Sequence, residues 1–284
     1  MRLRRLAGEL RRLRTESGRT REEVSEKTGI NSATLYRIET AKVRPQRRTL
    51  MALLDLYGVT DEVQRADLIA LSKNASELGW LRAYESELPE QYGAYIAFES
   101  EARSVRNFEA LFVPGLLQTE DYARAVIRAG LPLASAEDVE RRVEVRMQRQ
   151  VAIQKRNPLR LWAIVDEAAL HRRVGGEKVM VAQLDALVSA SALPHVVLQV
   201  LPFDLGAHAG MPGSFVVMDF PDAADPDLVY IDSSAGDLFL ERQADVQRYS
   251  TTFQHLQAAA LNPAASAQAI QHQRDQLEKE ARDV

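Results

Sequence analysis

Arg21-Glu22-Glu23-Val24-Ser25-Glu26-Lys27-Thr28-Gly29-Ile30-Asn31-Ser32-Ala33-Thr34-Leu35-Tyr36-Arg37-Ile38-Glu39-Thr40 decides the architecture of the first part of the chain. Thr20 stands just ahead of it where an N-cap is wanted, and Glu23 three residues later completes a capping box, so a helix is predicted over 21–28. Gly29 stops that helix and Asn31 caps the next, 32–40, which carries Leu35 and Ile38 on one face and Ser32, Ala33, Tyr36 and Arg37 on others. Only Gly29, Ile30 and Asn31 separate the two.

Outward from this pair, Leu3, Leu6, Leu10 and Leu13 recur at three and four residues and define a preceding amphipathic helix that ends near Gly18. Downstream, Pro45 suits the first turn of a fourth helix with Leu50, Leu53, Leu54 and Tyr57 on one side. Thr60 or Asp61 would cap a fifth, through Val63, Ala66, Ile69 and Ala70. Five short helices enclosing one core, with a three-residue glycine turn between the second and third, make a helix-turn-helix unit over residues 1–75. In that geometry the second helix of the pair enters the major groove and the first crosses the phosphate backbone.

Charge supports the same division. Residues 1–60 hold 14 Lys and Arg against 7 Asp and Glu, while the remainder holds 22 against 33, so a total of -4 conceals a basic head on an acidic body. Phosphate attraction follows local positive charge, so the head is the part expected to face a polyanion. Cysteine is absent, which removes disulfides, thiolate metal sites and cysteine nucleophiles together. No apolar run approaches the ~18 residues of a membrane span, and the start of the chain is amphipathic, so a cytoplasmic protein without membrane contact is expected.

Periodicity is lost at Lys73-Asn74-Ala75-Ser76-Glu77-Leu78-Gly79-Trp80, which is read as a linker to a second domain over 80–284. Helical patterns follow at 89–109, 119–129 and 136–155; the last carries Arg141, Arg142, Arg146 and Arg149 among Glu137, Glu140 and Glu144, which reads as a salt-bridged face. Runs of strand character lie at 159–165, 196–201, 214–220, 228–231 and 238–240, with a helix through Val181, Leu184, Leu187 and Val188 between the first two. Helices are expected over 243–261 and 264–282. The second domain is therefore α+β or α/β, behind an all-α head.

The segments Leu13-Arg14-Thr15-Glu16-Ser17-Gly18-Arg19-Thr20-Arg21-Glu22-Glu23-Val24 and Gly29-Ile30-Asn31-Ser32-Ala33-Thr34-Leu35-Tyr36-Arg37-Ile38-Glu39 resemble the XRE, lambda-repressor-like helix-turn-helix family. Arg21 departs from the glutamine common there, and Thr40-Ala41 from a polar residue followed by glycine. The resemblance implies that Ser32, Ala33, Tyr36 and Arg37 face base edges, and that Thr20, Arg21, Thr40, Lys42, Arg44, Arg47 and Arg48 approach phosphates. With the helical register, it also implies an ion pair between Arg14 and Glu39.

Phe112-Val113-Pro114-Gly115-Leu116-Leu117-Gln118-Thr119-Glu120-Asp121-Tyr122-Ala123, Trp162-Ala163-Ile164-Val165-Asp166-Glu167-Ala168-Ala169-Leu170, Gln199-Val200-Leu201-Pro202-Phe203 and Gly206-Ala207-His208-Ala209-Gly210-Met211 resemble the large C-terminal domain of many actinomycete XRE-type regulators, which has no generally assigned chemistry. Some such regulators are antitoxin-like and act with a small companion protein.

Asp166, Glu167, His171, His208 and Asp232 gather near expected strand ends, but their spacing matches no metal pattern, and no phosphate loop or nucleophile elbow accompanies them. Caps, turn bonds and salt bridges are the simpler reading, as a turn is for Ser233-Ser234-Ala235-Gly236 and core for Val113-Pro114-Gly115-Leu116-Leu117. The expectation is a non-enzymatic transcriptional regulator, without cofactor or metal. It would act as a homodimer on a palindromic double-stranded operator, with a small-molecule effector or companion protein at its second domain. The alternatives are an antitoxin-like adaptor and an enzyme whose head sets its own expression.

Overall fold

Leucines three and four residues apart bury one stripe of the first helix, α1 (Arg2–Glu16), through Leu6, Leu10 and Leu13. Around that stripe close α2 (Arg21–Thr28), α3 (Ser32–Glu39), α4 (Arg47–Leu56) and α5 (Glu62–Ser72). Their shared core is Val24, Leu35, Ile38, Leu50, Leu53 and Leu54, with Tyr57, Val59 and Leu68 at its margin. Each such side chain removed from water contributes about 1.5–3 kcal/mol. Two expectations are corrected here. Pro45 is buried ahead of α4 rather than in its first turn, and Gln46 is the N-cap. Among the described side chains of α5 the buried one is Leu68, with Ile69 and Leu71 packed partly against the same core, whereas Val63 is 69% exposed.

The computed structural model describes residues 2–41, 43–72, 80, 81, 84, 88–221, 225–233 and 236–282. Of the expected features, Lys42 and the linker residues 73–79 lie outside these, as do Ser234 and Ala235. The chain divides into two compact units, Met1–Gly79 and Trp80–Val284.

The second unit begins with α6 (Glu90–Glu101) and β1 (Ser104–Glu109), where the sequence pattern predicts a single helix over 89–109. The backbone turns extended at Ala102, and from there Ser104, Arg106 and Phe108 alternate with Val105, Asn107 and Glu109. Then follow α7 (Glu120–Gly130), α8 (Ala136–Arg149), α9 (Val151–Gln154), β2 (Arg160–Asp166), α10 (Ala168–His171), α11 (Glu177–Ser191) and β3 (Val196–Leu201). The chain continues through β4 (Phe215–Asp219), β5 (Leu228–Ile231), β6 (Leu238–Leu240), α12 (Gln243–Ala259) and α13 (Pro263–Arg282).

Among the described residues six strands form one sheet in the order β3-β2-β1-β4-β5-β6. β1, β2 and β3 run parallel, with α7 and α8 in the first crossover and α11 in the second. β4, β5 and β6 form an antiparallel meander on the far side of β1. β1 is therefore central, although it is the strand the sequence conceals. On one face Phe108, Ile164, Phe215, Val217 and Val229 pack against Phe253 and Leu256 of α12. Gly210 lies so close to this face that a Cβ there would overlap the Phe108 ring, so only glycine fits.

The polar helix expected over 136–155 is also revised. Arg141 pairs with Glu137 on the surface, and Glu140 pairs with Arg124 of α7. Arg149, however, is buried against Glu99 of α6, and Arg146 bonds to Gln118 and Tyr92. Two of the four arginines therefore point inward.

Candidate nucleic-acid interface

The presentation of α3 begins with the turn before it. The Thr20 hydroxyl accepts from the Glu23 amide at 3.2 Å and the Glu23 carboxylate accepts from the Thr20 amide at 2.8 Å, so the start of α2 is closed reciprocally. Gly29 ends α2 in the left-handed region at φ 70, where a side chain would be strained, and its amide returns to the Ser25 carbonyl. The Asn31 carboxamide oxygen then accepts from the Ala33 amide at 2.8 Å and opens α3.

Leu35 and Ile38 anchor α3 in the core, which leaves Ala33, Tyr36 and Arg37 exposed and Ser32 half-buried. The Arg37 guanidinium has no hydrogen bond or ion pair among the described residues, while its carbonyl accepts from the Val43 amide at 3.1 Å. The orientation of α3 is held from behind by Glu39, whose side chain is 2% exposed. Glu39 accepts from Arg14 Nε at 2.6 Å and Nη2 at 3.3 Å, and from Arg21 Nε at 2.8 Å. Arg14 also donates to the Arg19 carbonyl at 2.8 Å, and its hydrogen bonding to Glu39 raises its pKa above the ordinary arginine value. Helices α1, α2 and α3 thus meet at one carboxylate.

Arg21 shares that carboxylate and lies over the Tyr36 ring, its guanidinium carbon 5.2 Å from the centroid. Thr20 is occupied as a cap while remaining exposed, and the Thr40 hydroxyl donates to the Tyr36 carbonyl at 2.7 Å. Ala41, where the family pattern often has glycine, takes φ 58, a costly conformation for a residue with a Cβ. Arg44 is half-buried, and Arg47 and Arg48 are exposed in the first turn of α4. That placement opposes the helix dipole, since cations sit unfavourably at a helix N-terminus. Gln46 supplies no side-chain cap, so the first amides of α4 remain available to an anion.

The polar residues of the second unit gather only in part. Asp166 accepts from the Ala168 amide at 2.9 Å and lies 3.2 Å from His208 Nε2. Next to it, Glu167 accepts from the Phe203 amide at 2.7 Å and lies 3.3 Å from His171 Nε2. Asp232 stands apart, after β5, three strands along the sheet. The Gly236 amide donates to the Ser233 carbonyl at 2.9 Å. Among the described residues no group of three or more His, Asp or Glu side chains is arranged to hold a metal ion, and no helix is long and apolar enough to cross a membrane.

Comparison with known families finds two matches. The model described as "Helix-turn-helix domain" matches residues 5–68, and the one described as "Domain of unknown function (DUF5753)" matches residues 92–272. No curated protein and no solved structure matches the chain.

Proposed function

The chain belongs to the family defined by the Domain of unknown function (DUF5753), behind a DNA-binding helix-turn-helix head, and from that premise we propose that it is a sequence-specific transcriptional regulator whose α3 reads the major groove. One observation carries the reading. The outer side of α3 offers Ser32, Ala33, Tyr36 and Arg37, with the Arg37 guanidinium unpartnered among the described residues, while Glu39 locks the inner side to α1 and α2. A guanidinium so placed can make two parallel bonds to the O6 and N7 of guanine. Arg47 and Arg48 at the uncapped start of α4 hold a phosphate, which relieves their conflict with the helix dipole.

The regulator acts as a homodimer on a palindromic operator, and its second unit receives the signal that sets DNA affinity. Asp166, Glu167, His171 and His208 are engaged in local bonds at the end of β2, which supports regulation rather than catalysis.

The test is base discrimination. An operator is selected from random duplexes, and wild type and Arg37→Ala are titrated against it, against single-base variants and against unrelated DNA. Arg37→Ala should lose about 1–3 kcal/mol of discrimination at one base pair per half-site. Full retention of discrimination would show that α3 is not placed in the groove as described.

A further inference from the structure

The second unit encloses a cavity of about 480 Å³ on the face of the sheet opposite α12. Its floor is Val105, Asn107 and Glu109 of β1 with Val216 of β4 and Tyr230 of β5, and its lining continues past the carboxyl end of β1 through Leu111 and Phe112, at the strand where the parallel half of the sheet meets the antiparallel half. Ligands of α/β sheets favour such a switch point, and the volume falls within the roughly 300–1,000 Å³ of small-molecule sites. Tyr92 and Tyr95 of α6, together with Phe112 and Leu116, complete an aromatic and apolar wall.

Among the described residues, one buried polar side-chain atom of this wall lacks a hydrogen-bond partner. Arg149 and Glu99 form a bidentate pair at 2.9 and 2.8 Å, with the Tyr92 hydroxyl accepting from Arg149 and the Tyr95 hydroxyl donating to Glu99. Arg146 donates to Gln118 at 2.8 Å and to Tyr92 at 3.3 Å. Glu109 is 8% exposed; its Oε1 accepts from Asn107 at 3.2 Å, but its Oε2 is buried and has no partner among the described residues. A buried carboxylate oxygen without a donor is costly, and here it lines an open volume. The cations of the cavity are already bonded; the unmet group is acidic, Glu109, and a second carboxylate, Asp232, stands at the rim beside Asp237.

We propose that this cavity binds a small organic cation, a primary amine on an aromatic body, with the ammonium against Glu109 and Asp232 and the body against Tyr95, Tyr230 and Phe112. The ammonium supplies the missing donor, and the rings accept both the apolar body and part of the positive charge. This assignment deepens the reading of the second unit as the signal receiver and rests on it for its role, not for its chemistry.

The site has a pH signature. Burial pushes the Glu109 carboxyl up to about 7, against the lowering effect of hydrogen bonding to Ser214 and Asn107 and of the Arg146 charge. Facing it are Tyr92, Tyr95 and Glu99 from α6, and Tyr122 from α7. Arg146 and Arg149 from α8, and Tyr230 and Asp232 at the end of β5 with Asp237 beside them, complete the surroundings. An ammonium favours the ionised carboxylate, so binding below pH 7 releases the Glu109 proton to solvent, and affinity rises as pH rises from about 6 to about 8.

Isothermal titration of the full chain, without DNA, with phenethylamine and tryptamine tests this, using phenylacetate, indole-3-acetate and phenethyl alcohol as matched anionic and neutral probes. The amines should bind at least about tenfold more tightly than their counterparts, and Glu109→Gln should cost about tenfold or more and abolish the pH dependence. Asp232→Asn, at the rim, should weaken binding less and serves if Glu109→Gln proves misfolded by circular dichroism. Absence of amine binding at millimolar concentration, equal binding of the acids or alcohol, or unchanged amine binding by a folded Glu109→Gln would each overturn the assignment. Amine binding that leaves operator affinity unaltered would retain the site and instead remove the signalling role.

Discussion

Glu39 is the residue on which the geometry of the head turns, because one buried carboxylate serves two arginines from two other helices. Arg14 is 13% exposed and Arg21 31%, so their losses differ in kind. Removing Arg14 leaves Glu39 still bonded to Arg21, whereas removing Glu39 leaves two guanidinium groups side by side without their anion. Glu39→Leu should therefore destabilise the head by roughly 3–5 kcal/mol, with Arg14→Met milder and the double variant less damaging than the two losses combined. Hydrogen exchange at the amides of Val24, Leu35 and Ile38 reads head stability directly within the full chain. Strictly additive losses would remove the coupling. Arg19 adds a second detail to the same corner: its Nε is buried without a partner among the described residues, and its carbonyl is held by Arg14.

At the scale of elements, the proposed function divides reading from holding between α3 and α4. On that proposal α3 turns side chains to bases, while α4, with two exposed cations and no side-chain cap, faces the backbone, which looks alike at every base step. Arg47→Ala should thus weaken binding to operator and unrelated DNA by similar factors. Each phosphate left without its cation makes the slope of log K against log salt shallower by about 0.9, so a dimer with one such phosphate per head changes by roughly 1.8. Titrations at several salt concentrations measure this, and an unchanged slope would mean that Arg47 touches no phosphate. The sheet shows a comparable division: the face toward α12 is a closed apolar core through Phe108 and Phe253, while the opposite face of β1 carries Asn107 and Glu109 into the cavity.

For the whole molecule, the head is basic and the remainder acidic, so the positive charge that attracts a phosphate backbone is concentrated in one part of the chain. A single small head covers one half-site, and a two-fold protein matches a palindrome with half-sites about 10–10.5 bp apart or a multiple of that. If the second unit supplies the two-fold interface, sedimentation should show a dimer for the full chain and a monomer for residues 1–79. A monomeric full chain at micromolar concentration would refute that assembly. Circular dichroism of the 1–79 fragment, run alongside, confirms that the species compared is folded.

Much of the head is legible because its signals are local. The capping box of Thr20 and Glu23, the stop at Gly29, the cap at Asn31 and the leucine spacing of α1 all act within about one turn of helix, so the residues that interact are also neighbours in sequence. The same local rules locate β2 to β6 approximately, since those strands are runs of apolar residues. They fail at β1, whose buried Asn107 and Glu109 break the apolar alternation, and at Arg149, which reads as a solvated charge among glutamates. Glu99 lies 50 residues from Arg149, and Tyr230 comes to Tyr95 with ring centroids 4.2 Å apart from the other end of the domain. Local pattern determined which helices of the head form and which face of α3 stays outside. Only the tertiary structure decided the cavity, because a polar residue in sequence looks the same whether it faces water or a buried partner brought from far along the chain.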